Sequence, residues 1–233
     1  MNASLMGDAT HPRHLLKTLP LQIADFLGEQ ISSGMLPPGQ RLRETDLATT
    51  YEVSRATVRE ALRLLETRGL VRIQPQRGAY VTQLSAKEIY DLYAIRASLV
   101  STGSRLAAER CTNKNARVLR HKLLLLADSV DDLSAYTRQS RELVAYITML
   151  SDNAILIGYV NDMADRIGRY VRISLSKLER RKRSLVTWKK TIDAIVSGDP
   201  ERAAACHYQL AIQNRDAALK EFDKADEQEE SGL

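Results

Sequence analysis

The spacing of apolar positions changes twice along this chain, from a helical period to a period of two and back. Between residues 20 and 34, Ile23, Phe26, Leu27 and Ile31 recur at helical spacing, and Gly34 stands where a helix would stop. The breaker cluster Pro37-Pro38-Gly39 follows. Thr45 is placed to cap a short second helix carrying Leu47, Ala48 and Tyr51, and Ser54 to cap a third that runs to Arg68 and closes at Gly69. Only Glu52 and Val53 separate these two helices, which predicts a tight corner. Val71 and Ile73 then alternate with Arg72 and Gln74, the chain turns through Pro75-Gln76-Arg77-Gly78, and Tyr80 and Val81 resume a β-prone run, so a small hairpin is expected. From Ser85 the helical period returns through 85–110, 115–130, 134–150, 153–178, 184–197 and 200–222, predicting six further helices. Thr112-Asn113, Asp131-Asp132, Ser151-Asp152 and Gly198-Asp199-Pro200 supply caps and turns between them.

This order of elements defines a mainly α fold: an N-terminal winged helix-turn-helix with a small β-hairpin wing, then a C-terminal all-α six-helix bundle. The expected divisions are a flexible tail at 1–17, the winged module at 18–83, the bundle at 84–222 and an acidic, disordered tail at 223–233. Within the third helix, Val58, Ala61, Leu62 and Leu65 form a stripe for burial. Arg55, Arg59 and Arg63 recur every four residues on another stripe, with Ser54 and Thr57 at the helix start. The first turns of a recognition helix reach base edges, where an arginine can give two donors to guanine, while hydroxyls and the helix N-terminus hold phosphate oxygens. Three arginines alone would read better as a solvated basic face. The short helix, tight corner, capped helix and Arg-Gly hairpin tip, taken in sequence, favour DNA. Arg77 and Gly78 suit a wing, because glycine lets the backbone approach a groove and arginine meets phosphate or the minor groove.

Composition adds modestly to this. Of 233 residues, 34 are Lys or Arg and 29 Asp or Glu, a net charge of +5, permissive for a polyanionic partner. Cys111 and Cys206 form neither a disulfide framework nor a metal pair, which fits a reducing cytoplasm. No apolar run reaches the roughly 18 residues of a spanning helix, and the opening segment lacks the apolar centre of a signal peptide, so no membrane association is expected.

The stretch GMLPPGQRLRETDLATTYEVSRATVREALRLLETRGLVRIQPQRGAYV resembles the GntR family of bacterial regulators, and the resemblance covers nearly all of residues 20–82. It implies operator contacts from Arg43, Ser54, Arg55, Thr57 and Arg59, with Arg77 and Gly78 in the wing. Ala56 stands within this contact run where the family usually has threonine. Glu52 replaces the common glycine of the corner and brings a negative charge toward DNA.

One helix in a groove reads few base pairs, so a homodimer on a palindromic double-stranded operator is expected. A bundle of this size exceeds what dimerisation requires, which suggests an effector cavity between its helices. Plain bundle core is the alternative. YDLYAIRASLVSTGSRLAAER, the SDN at 151–153 and DAIVSGDPERAA resemble the FCD-type domain of the FadR branch in its six-helix, VanR-like form. That resemblance implies a sensor of small carboxylates, repression as the commoner outcome, and a metal held by one Asp and three His. The corresponding positions here are Ser140, Val144, Trp188 and Leu210, none of them a ligand. Of the four histidines, His11 and His14 lie in the tail and His121 on another helix, leaving only His207 to point inward. The metal site is therefore expected to be lost, with no cofactor. Effector candidates are Arg96, Arg141, Tyr146, Asn153, Trp188 and His207, against salt bridges for the arginines and simple core filling for Trp188. The run LERRKRSLVTWKK, with four consecutive cations at 180–183, reads as a solvated loop between two helices, with an added nucleic-acid contact or anion gate as the alternative. No dinucleotide fingerprint, P-loop, nucleophile elbow or metal tetrad points to an enzyme.

Overall fold

The computed structural model describes residues 17–230, with side chains described as far as Phe222. The expected tail, except Lys17, lies outside the described residues, as do His11, His14 and the last three residues. Helix α1 (Leu19–Ser33), strand β1 (Arg41–Leu42), helices α2 (Glu44–Thr50) and α3 (Arg55–Thr67) and strands β2 (Val71–Gln74) and β3 (Gly78–Val81) form the first unit. Helices α4 (Ala86–Glu109), α5 (Asn113–Asp128), α6 (Leu133–Leu150), α7 (Ala154–Ser174), α8 (Leu178–Val196) and α9 (Pro200–Glu230) form the second.

The winged unit closes around Ile23, Leu27, Ile31, Val58, Leu62, Leu65, Val71 and Val81. Its sheet has three antiparallel strands in the order β1-β3-β2, with Val71 facing Val81 and Gln74 facing Gly78. The short strand β1, pairing Arg41 with Tyr80, was not foreseen, because two residues carry no readable alternation. Thr45 lies inside α2, whose N-cap is Arg43. Phe26 faces out of the α1 stripe and packs edge-on against Tyr51 at 5.8 Å.

In the bundle, Asp132 accepts from the Ser134 and Ala135 amides, Thr112 from Asn115, and Asn153 from Leu156, so each side-chain cap satisfies amides that the helix start leaves open. Ser85 and Glu88 form a reciprocal capping box where the chain leaves the wing. Two expectations are corrected. The basic run at 180–183 is not a loop but the first turns of α8, which begins at Leu178, with Arg180 and Arg181 buried. Arg181 explains why: its guanidinium donates to the carbonyls of Val130, Asp131, Leu175 and Ser176, closing the end of α7 and the α5–α6 turn from within. The acidic stretch at 223–230 is not disordered but continues α9 to Glu230.

The two units meet through α7 and the start of α4. Arg166 Nε donates to the Arg68 carbonyl at 3.2 Å, the Leu84 amide donates to the Tyr170 hydroxyl at 3.1 Å, and Arg72 pairs with Glu88 at 3.2 Å. An open cleft of about 440 Å³ runs along this junction between Glu66, Arg72, Glu88, Ile95 and Arg166.

Candidate nucleic-acid interface and buried polar cluster

Helix α3 is built to show one side and hide another. Val58, Ala61, Leu62 and Leu65 are buried, while Ser54, Arg55, Ala56, Arg59 and Arg63 are exposed and Thr57 is half-buried. The Ser54 side chain accepts from the Thr57 amide at 3.1 Å and meets the Thr57 hydroxyl at 2.8 Å, fixing the first turn. Arg43 is exposed just before α2. Arg77 and Gly78 are exposed at the hairpin tip, Gly78 with φ of 96° and the preceding Gln76 with φ of 63°. The structure thus brings every sequence-derived DNA candidate to the surface of this unit, in two places: the α2–α3 corner and the wing.

Sequence reasoning missed the carboxylate beside them. Glu44, at the start of α2, accepts two hydrogen bonds from Arg59, at 3.0 and 2.8 Å, and lies 3.7 Å from Arg55. The hydrogen bond from Arg59 holds the Glu44 carboxyl below the usual carboxylate range. No local signal links residues 15 apart across a corner. Glu52 sits at that corner with φ of 53°, a left-handed conformation that glycine adopts freely and other residues rarely do.

The bundle candidates do not all converge. Arg141 is half-exposed and paired with Asp165 at 2.6 Å. Tyr146 lies under the Lys122 ammonium, 5.9 Å from its ring centre. Asn153 is occupied as the α7 cap. Arg96, Trp188 and His207 do gather. His207 Nδ1 lies 2.6 Å from Ser104 Oγ, its ring is 5.0 Å from the Trp188 ring, and burial together with the Arg96 charge pushes its pKa down to about 3. Three further side chains join them: Tyr93 and Asn214, which the sequence reading left out, and Arg180, which it placed in the basic run at 180–183 with an anion gate as an alternative to a solvated loop. Arg180 donates to Asn214 Oδ1 at 2.6 Å, and Tyr93 lies within electrostatic range of both Arg96 and Arg180. Continuing the inward phase of α8 back from Trp188 through Ser184 would have reached Arg180.

Val144, Trp188 and Leu210 belong to the apolar bundle core, and Ser140 is buried beside them. These four side chains do not suit a metal ion, and among the described residues no group of three His, Cys, Asp or Glu is placed to hold one.

Residues 19–81 match the family described as bacterial regulatory proteins, gntR family, and residues 91–227 match the FCD domain. The chain is 35% identical over 137 residues to the Nta operon transcriptional regulator of Aminobacter aminovorans; the match covers 58% of this chain and 64% of that protein. It is 27% identical over 208 residues to a probable D-xylose utilization operon transcriptional repressor of Paenarthrobacter nicotinovorans, covering 88% of this chain and 91% of that one. The solved structure of E. coli McbR/YncC superposes with a TM-score of 0.79 at 22% identity, covering 88% of this chain and 99% of that one, which is a likeness of fold. Among the described residues, no helix is long and apolar enough to cross a membrane.

Proposed function

This chain belongs to the GntR family of bacterial regulatory proteins and carries an FCD domain behind its winged unit, and we propose that it is a homodimeric, cytoplasmic repressor released from a palindromic operator by a small carboxylate effector. The family is one of regulators rather than enzymes. The observation that carries the DNA half of this reading is the orientation of α3: its apolar stripe is sealed, and its arginines face solvent from a capped first turn. Arg55 and Arg59 read bases, Ser54, Thr57 and Arg43 hold phosphates, Ala56 lies against the groove, and Arg77 and Gly78 follow the backbone from the wing. Two copies are needed because one α3 spans too few base pairs to single out a chromosomal site.

The sensing half rests on Arg96 and the polar groups around it in the bundle. An effector acts only if it binds the released arrangement of the two reading heads more tightly than the bound one. Helix α7 is placed to carry that difference, since it packs against the bundle on one side and reaches Arg68 and Leu84 on the other.

Selection of genomic fragments by the full-length protein tests this reading. The expected result is a small set of fragments protected over two inverted half-sites about one helical turn apart. Retention of no fragment above bulk DNA at roughly 50 mM salt, where non-specific binding is itself strong, would overturn it.

A further inference from the structure

Buried polar groups in folded proteins are almost always hydrogen-bonded, and buried charges almost always paired. One region of the bundle departs from both rules. Arg96 Nη1, Arg180 Nη1, the Tyr93 hydroxyl and Trp188 Nε1 are all sealed from solvent without a partner. Tyr93 and Trp188 are fully buried, and Arg180 is only 9% exposed. Among the described residues no carboxylate is paired with either guanidinium, and burial holds both below the usual arginine range. The four groups come from two neighbouring helices, α4 and α8, and all of them have a hydrogen to donate.

A set of four unused donors, two of them cationic, lacks an acceptor with negative charge. We propose that the bundle binds a small dianion, a dicarboxylate or a phosphate monoester, directly on the Arg96 and Arg180 guanidiniums, with Tyr93 donating a further hydrogen bond. This rests on reading the bundle as the sensor and names its ligand class. Two cations without a carboxylate call for two negative charges, which separates this ligand from a monocarboxylate. Guanidinium also matches the planar oxygen pairs of carboxylate and phosphate.

The same geometry disagrees with a metal-assisted site. The four positions where the family resemblance would place ligands hold Ser140, Val144, Trp188 and Leu210, and the buried Trp188 ring packs at a tilt against His207, 5.0 Å away. His207 is held neutral and is hydrogen-bonded to Ser104. The charge that recognises the anion comes from side chains. Arg180 therefore has a role distinct from Arg181, which spends its donors on four backbone carbonyls.

The test uses the full-length protein after exhaustive EDTA treatment, with succinate, inorganic phosphate and acetate as probes in isothermal titration and thermal melting. Succinate or phosphate is expected to bind and raise Tm with no metal present, and acetate at equal concentration to do so at least about tenfold more weakly. Preference between succinate and phosphate identifies the source of the two charges. Arg180→Gln, which removes the charge while keeping a polar amide at this position, is expected to weaken binding at least about thirtyfold. It is also expected to melt a few degrees higher than wild type without ligand, because an uncompensated buried charge is gone. Anion binding that survives Arg180→Gln, or that requires added zinc, overturns the arginine pair while leaving the sensor reading intact. If no probe binds and Arg180→Gln melts no higher than wild type, both fail.

Discussion

The Arg59 guanidinium closes on the Glu44 carboxylate with two nearly parallel hydrogen bonds, from Nε at 3.0 Å and Nη2 at 2.8 Å. Glu44 thus fixes the direction of Arg59, one of the two arginines proposed to read bases, and, 3.7 Å from Arg55, offsets part of the charge of the other. The two effects separate in Glu44→Gln. Affinity for arbitrary duplex DNA should rise several-fold as net charge against phosphate increases, while preference for the operator should fall about fivefold because Arg59 loses its alignment. Fluorescence anisotropy on operator and scrambled duplexes measures both. An unchanged ratio would mean that Arg59 needs no orientation from α2.

The corner between α2 and α3 carries strain that a single substitution can remove. Glu52 holds φ of 53°, and a non-glycine residue in this region costs on the order of 1 kcal/mol. Glu52→Gly relieves it, and the greater freedom of glycine in the unfolded chain takes back part of the gain. A net stabilisation of about 0.5 kcal/mol is expected in urea unfolding. A loss of about 1 kcal/mol or more would assign the Glu52 side chain a stabilising contact.

Buried His207 gives the bundle a defined response to acid. Its pKa falls from 6.5 to about 3, so between those values the unfolded chain binds a proton that the folded chain excludes. The stability this contributes is complete above about pH 6.5 and is lost as pH falls toward 3. From about pH 6 to pH 5 the wild type should lose up to about 1.4 kcal/mol more than His207→Gln, a substitution that keeps a polar group near Ser104. Parallel pH profiles for the two proteins would show that His207 takes its proton in the folded state.

Gly69 lies where the two units meet, at a point where an added Cβ would crowd the Arg166 side chain. It holds φ of 74°, and a Cβ there would lie 2.9 Å from Arg166 Nε, the atom that donates to the Arg68 carbonyl. Gly69→Ala should cost about 1–2 kcal/mol through backbone strain alone and displace Arg166. Arg166→Ala should leave the backbone unstrained yet loosen the junction. Faster proteolysis near residue 83 in both variants is expected, and proteolysis as slow as wild type in both would contradict a latch at this point.

Much of this architecture could be read from residue spacing, for identifiable reasons. Helix α3 was legible because Ser54 caps it and its apolar stripe keeps strict phase, and the wing because Pro75-Gln76-Arg77-Gly78 interrupts a clean alternation. The start of α8 was hidden because Arg180 and Arg181 break the apolar pattern with charges that are nonetheless buried, one on Asn214 and the other on four carbonyls. The Glu44–Arg59 clasp depends on how two helices come together across a corner and leaves no periodic trace; in the bundle, periodicity along α8 points to Arg180 but not to its meeting with Tyr93 and Arg96 on another helix. Glu52 could be recognised as a departure from glycine, but its positive φ required coordinates.

The most direct measurement of the central claim is a salt titration of operator binding by the wild type, Arg59→Ala and Arg77→Ala. A base-reading α3 and a phosphate-following wing predict that Arg59→Ala weakens operator binding roughly tenfold to a hundredfold with little loss on scrambled DNA. Arg77→Ala should weaken both duplexes alike and reduce the slope of log affinity against log salt by about 1. Equal operator affinity for all three proteins across the salt range would contradict the assignment of this surface to DNA.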